Sequence, residues 1–332
     1  MNIILAFVIL LVAITLHEFG HFIFGKIMGV RVYEFAIGFG PKLFGWKRKS
    51  TKYSVRLLPL GGYCSFNDPE EEIDSTVEFE LDDGLIKYEK ASPWKRLFIL
   101  SGGIIFNLLT AIILLWGIFS FNGIRTTKVD EVIANSPAAY AGIKAGDEII
   151  KIDDLKVETA ADFMNSKAYN SGKYNITINR DGVYENIDIV SDSEGKLGVV
   201  FGSSKKIGLA LKYSFVTIWD IISQIFGIFL KLFYNVDKNI MGVVGFVATV
   251  GGMESLTLTM VLTMIASLSI SLACFNILPI PPLDGGAMLL TIIEIIIGRP
   301  LSDKFRSIFQ IVGIAFMMYL FVRVLINDFL RL

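Results

Sequence analysis

Histidine is almost missing from this sequence: its 332 residues contain two, His17 and His21, four positions apart. Cysteine is equally scarce, with Cys64 and Cys274 far apart and no CxxC pair, which excludes a disulfide framework and a thiolate metal site. Both are expected to stay free thiols. Charge is thin as well, at 19% of residues with a net of −1 and no long basic run. That leaves neither a nucleic-acid footprint nor a polybasic lipid patch. Too little polar surface exists for a water-soluble chain of this size, because 53% of residues are hydrophobic and the mean hydropathy is +0.58. The chain belongs in a lipid bilayer.

Four apolar stretches approach the roughly 20 residues a helix needs to cross the hydrocarbon. They are residues 1–25, 96–120, 254–279 and 306–327, and the first has neither a basic n-region nor a small-residue cleavage site, so it is expected to remain as a span. Residues 26–95 hold alternating β-formers such as Tyr53-Ser54-Val55-Arg56-Leu57, which predict short hairpins, followed over 67–90 by an acidic surface loop with Glu70, Glu71, Glu72, Asp82 and Asp83. Residues 126–202 are charged and strand-like, with Asp181-Gly182 placed as a hairpin turn, and predict a soluble domain inserted between spans. The stretch 204–235 is apolar but carries Lys205, Lys206, Lys212, Asp220 and Lys231, so it is expected to lie along the membrane surface as an amphipathic helix. Basic residues crowd the loop 26–56 and recur at Arg299, Lys304 and Arg306, which places those loops in the cytoplasm and both termini and the inserted domain outside. One more crossing at 204–235 would break this alternation.

Titratable groups inside an apolar run are costly, roughly 2.5–3.5 kcal/mol per charge at mid-bilayer, and mark function by default. On a helix, positions i and i+4 share a face, so His17 and His21 can present two imidazoles to one ion with Glu18 beside them. This HExxH pattern suits zinc, which lowers the pKa of a bound water toward about 7 while the glutamate takes its proton. The third ligand is not histidine, since none remains, and Phe24 and Ile27 stand where a metzincin would need glycine and histidine. The best acidic candidate is Asp284, in the run Asn276-Ile277-Leu278-Pro279-Ile280-Pro281-Pro282-Leu283-Asp284-Gly285-Gly286, which closes the third span, 254–284. Its prolines break a helix at a depth where irregular backbone is tolerated only against protein or a wet cavity. An ion path in a transporter, an inactive scaffold or a membrane-anchored peptidase for soluble chains would use some of the same residues; the complete set of residue types at bilayer depth favours hydrolysis of membrane substrates.

HEFGH at 17–21 together with NxxPxPxLDG ending at Asp284 resembles the bacterial site-2 proteases, intramembrane zinc metalloproteases, over nearly the whole chain. The resemblance implies a polytopic α-helical membrane protein with four transmembrane helices, a membrane-associated β-hairpin loop and one inserted α/β PDZ-like domain. It implies one zinc ion on His17, His21 and Asp284, Glu18 as general base, and Asn276 as a substrate or oxyanion donor. The glycines Gly38, Gly40, Gly61 and Gly62 match the family's loop that holds substrate as an added strand. Gly102-Gly103 and Asn107 stand where relatives show Gly-Pro followed by Asn. The PDZ likeness rests on Ala134 through Ala139 and Ala141 through Asp147. Implied partners are the lipid bilayer and single-span membrane proteins trimmed beforehand by another protease, with no nucleic acid; the implied location is the bacterial cytoplasmic membrane, with the active site near its cytoplasmic side.

Overall fold

A computed structural model describes residues 2–67, 84–165, 172–192, 195–232 and 242–330. Most of the acidic stretch read as a surface loop, including Glu70, Glu71, Glu72, Asp82 and Asp83, lies outside the described residues. The chain forms two compact units, residues 1–115 with 215–332, and residues 116–214.

The first unit is a helical bundle. Helix α1 (Asn2–Ile27) is the apolar run that carries HEFGH, and α2 (Pro93–Asn122) opens with proline at its first position, where a missing N–H costs nothing. Later in the chain come α5 (Ile207–Leu232), the short α6 (Val243–Gly251), α7 (Leu258–Asn276), α8 (Asp284–Ile297) and α9 (Asp303–Phe329). Five helices among the described residues, α1, α2, α7, α9 and residues 207–228 of α5, are long and apolar enough to cross a membrane. Length and composition therefore admit one more than the four expected.

The third span also differs from expectation. Residues 254–284 are not one helix: α7 stops at Asn276, and a separate helix begins at Asp284 after the proline turn. Pro279, Pro281 and Pro282 supply no N–H to continue a helical ladder, and the Pro281–Pro282 bond is cis. Helix α8 packs tightly on that turn, because a Cβ on Gly285 would lie 2.5 Å from the Ile277 carbonyl. Contacts define the two ends of the bundle. At one end Lys95 Nζ donates to the Met28 carbonyl (2.9 Å), so α1 finishes where α2 starts. At the other, Asn2 donates to the Met253 carbonyl (2.6 Å), and Asp328 on the last turn of α9 accepts the N–H groups of Gly242 and Gly245.

Between α1 and α2, strands β1 (Glu34–Arg48) and β2 (Thr51–Ser65) fold back on themselves. Residues 51–55 pair with 44–48 on one side and with 34–37 on the other, and 34–37 in turn pair with 62–65. Segment 62–65 forms an edge. Exposed Phe39, Leu43, Phe44, Trp46, Leu57 and Leu58 give this small sheet an apolar surface.

The second unit holds β3 (Ile124–Val132), α3 (Pro137–Tyr140), β4 (Glu148–Ile152), β5 (Leu155–Lys156), α4 (Ala160–Asn165), β6 (Lys173–Arg180), β7 (Val183–Val190) and β8 (Val199–Ser204). Its sheet runs β7-β6-β4-β3-β8, with β5 against β4. Alternation buries Tyr174, Ile176 and Ile178 from β6 on Ile149 and Ile152 from β4. The β6–β7 hairpin turns at Asp181 (φ 49°) and Gly182 (φ 89°), the two positive-φ positions a tight hairpin requires. Asp147 anchors the domain: burial raises its carboxyl pKa, but hydrogen bonds from Arg180 and the Lys144 N–H outweigh this and hold it below the ordinary value.

Candidate active site

His17 and His21 lie on the buried face of α1, 6% and 7% exposed, one helical turn apart. Asp284, the first residue of α8, reaches them through Oδ2, 3.0 Å from His17 Nε2 and 3.2 Å from His21 Nε2. The two Nε2 atoms are themselves 3.2 Å apart. The three atoms thus form a nearly equilateral triangle. An ion about 2.0–2.1 Å from each of two ligands in tetrahedral geometry holds them about 3.3 Å apart. The triangle fits zinc, and two imidazoles with one carboxylate are a donor set zinc accepts. This is the one group of three or more metal-ligating side chains found among the described residues.

Glu18 sits beside the triangle, and its Oε2 accepts the backbone N–H of Cys64 on the 62–65 edge (3.1 Å). The β-hairpin segment therefore touches the acid directly. Asn276 is placed differently: at the last residue of α7, its amide donates to the Leu272 carbonyl of its own helix (3.0 Å). Of the loop glycines, Gly38 adopts φ +87°, and a Cβ there would meet the Arg56 and Leu58 carbonyls at 2.9 Å, so it is required by the hairpin itself.

Helix α2 supplies the opposite wall, where the sequence had marked Gly103 and Asn107 at positions of the family pattern without a role and had not marked Ile99. Ile99, Gly103 and Asn107 recur every four residues and form one face. Opposite the histidines, the Ile99 carbonyl lies 2.9 Å from His21 Nδ1, and the Asn107 amide lies 3.1 Å from His17 Nδ1. Gly103 stands between them, where a Cβ would collide with the His17 ring and come within 2.6 Å of His21 Nε2. A polar Asn in an apolar run, one turn after a glycine pair, was the available signal.

Residues 5–320 match the model of peptidase family M50. The chain belongs to that family. A Clostridium perfringens protein that carries a zinc metalloprotease name is 33% identical over 99% of this chain and 98% of its own length. A Clostridium acetobutylicum protein of the same description is 33% identical over 98% and 97%. The zinc metalloprotease RasP of Shouchella clausii is 29% identical over the full length of both chains. This M50 member is accordingly a zinc metalloprotease of the site-2 type, with helices that suit a multi-pass membrane protein.

Proposed function

We propose that this M50 protease hydrolyses peptide bonds within or beside the transmembrane segments of membrane-protein substrates. The observation that carries this is the convergence of Asp284 with His17 and His21, which with Glu18 stand on a helix apolar enough to cross a bilayer. At about 1.5 Å per residue, His17 stands some 22 Å along α1, well within the hydrocarbon thickness.

His17 Nε2, His21 Nε2 and Asp284 Oδ2 would hold the ion. Zinc bound there supplies Lewis acidity, which acidifies water and polarises a carbonyl. Glu18 takes the proton from the attacking water and passes it to the departing amine. The Cys64 N–H fixes the Glu18 carboxylate for that exchange. Segment 62–65 is a strand edge without a further strand partner among the described residues, and an unwound substrate added beside it would bring its backbone to Glu18. Unwinding is needed because helical carbonyls are already hydrogen-bonded. Gly62 lets the edge pack on the neighbouring segment, since a Cβ there would lie 2.6 Å from the Ala36 carbonyl, and Asn276, once its amide leaves Leu272, is a donor for the developing oxyanion.

The protein sits in the bacterial cytoplasmic membrane with four crossings. The Trp116 indole near the end of α2 donates to the Ile207 carbonyl at the start of α5 (3.3 Å), and Gly242 lies against the end of α9. Both α2 and α9 start from the Arg96–Arg306 end of the bundle. Lys212 and Asp220 within an otherwise apolar helix support laying α5 along the surface, and the basic loop 26–56 puts the end of the bundle where α1 finishes in the cytoplasm. The inserted domain is a PDZ-like module outside, where it filters single-span substrates already shortened by another protease.

Purified Glu18→Gln is expected to keep its zinc and lose about 10²–10⁴-fold in cleavage of a transmembrane substrate. Normal cleavage by that variant would end the assignment.

A further inference from the structure

The two imidazoles are oriented from behind by different groups. His21 Nδ1 faces the Ile99 carbonyl at 2.9 Å, and a carbonyl can only accept, so that ring carries its proton on Nδ1 and leaves the Nε2 lone pair bare. His17 Nδ1 faces the Asn107 amide nitrogen at 3.1 Å, while Asn107 Oδ1 is buried without a partner. A donating amide nitrogen would force the His17 proton onto Nε2, which points at Asp284 Oδ2 3.0 Å away. That arrangement suits a hydrogen-bonded pair and blocks a metal. Turning the amide by half a rotation about χ2 exchanges Oδ1 for Nδ2 and reverses the polarity of the contact. One amide atom lacks a protein partner in either orientation, so the orphan does not decide between them. The requirement for two bare Nε2 atoms does.

We propose that Asn107 is a positioning residue for the metal: it presents Oδ1 to the His17 Nδ1–H, as Ile99 does to His21, and so holds the His17 Nε2 lone pair toward Asp284 and His21. Asn107 is fully buried at 0% exposure on the α2 face that includes Gly103, so its amide has no competing water-exposed role. The inference rests on His17, His21 and Asp284 holding zinc.

Zinc affinity, measured by competition with a chromophoric chelator on the purified full chain, separates the possibilities. Asn107→Asp retains an acceptor and removes the donor; it is expected to bind within about threefold of the native protein. Asn107→Leu keeps the volume and removes the acceptor; it is expected to bind roughly 10–100-fold more weakly, the usual cost of losing a ligand's outer hydrogen-bond partner. Should the Leu protein not elute as a single species, Asn107→Ala is measured in its place with the same expectation. Native affinity in the Leu or Ala variant, or an equal loss in Asn107→Asp, overturns the proposal. His17→Ala is the control: if it binds zinc as the native chain does, the metal site itself is wrong and Asn107 falls with it.

Discussion

Helix α8 carries two carboxylates ten residues apart, Glu294 buried and Asp284 half-buried, and their surroundings differ. Glu294, 3% exposed, receives a 2.8 Å hydrogen bond from Arg96 on α2, a hydrogen bond from Arg306 on α9 and the Leu301 N–H at 3.0 Å. Every charge there has a protein partner. Asp284 instead meets no guanidinium among the described residues; its Oδ2 lies 3.0 and 3.2 Å from two ring nitrogens. A carboxylate surrounded by guanidinium groups is complete without a ligand, whereas one that converges with two imidazole nitrogens forms a donor set that a cation can complete. The first fastens α8 to its neighbours; the second uses the position so obtained.

That contrast is broken most directly by exchanging the two carboxylates for amides. Asp284→Asn is expected to weaken zinc binding by more than the roughly 100-fold upper cost of losing an outer hydrogen-bond partner, with little loss of thermal stability in a zinc-free sample. Glu294→Gln should do the reverse. It leaves Arg96 and Arg306 short of a counter-charge and is expected to destabilise the bundle by about 3–5 kcal/mol while zinc still binds one ion per chain. Equal effects of the two variants on zinc would show the contrast to be false.

Gly103→Ala sharpens the same comparison from the opposite wall. Its methyl would enter the space of the His17 ring, and overpacking of this kind costs about 1–3 kcal/mol, expected here as weaker zinc binding with α2 still helical by circular dichroism. The smallest effect belongs to an exposed carboxylate. In the inserted domain Glu158 is hydrogen-bonded by Lys212 and Lys156, which lower its pKa from 4.5 to about 2. Its contribution to stability is present above the ordinary value and is lost as pH falls from about 4.5 toward about 2. Melting followed across that window should flatten slightly in Glu158→Gln, and an unchanged pH profile would remove Glu158 from the account.

Much of the site could be read from the sequence because its residues are chemically rare. Two histidines at helical spacing within an apolar run, and an aspartate after a proline cluster, have few other uses at such depth. The Asp181-Gly182 hairpin was equally legible, since its turn needs two residues that tolerate positive φ. The α2 wall was not. Ile99 contributes a backbone carbonyl, which leaves no chemical mark in the sequence, and Gly103, at a position of the family pattern, contributes an absence of side chain whose use shows only in the packing. Asn107 was visible as a match to the family pattern, but its partner depends on the register between α1 and α2. Helix α8 was missed because the third span was ended at Asp284, although Glu294 within Ile292-Ile293-Glu294-Ile295-Ile296 marked a buried charge in need of a partner.

Zinc K-edge X-ray absorption on the membrane-embedded protein tests the central claim most directly. Three protein ligands of nitrogen and oxygen type at about 2.0–2.1 Å, with imidazole scattering that diminishes in His17→Ala, are the expected result. A sulfur shell near 2.3 Å, which would point to Cys64 or Cys274, or a spectrum indifferent to His17 and Asp284, would contradict it.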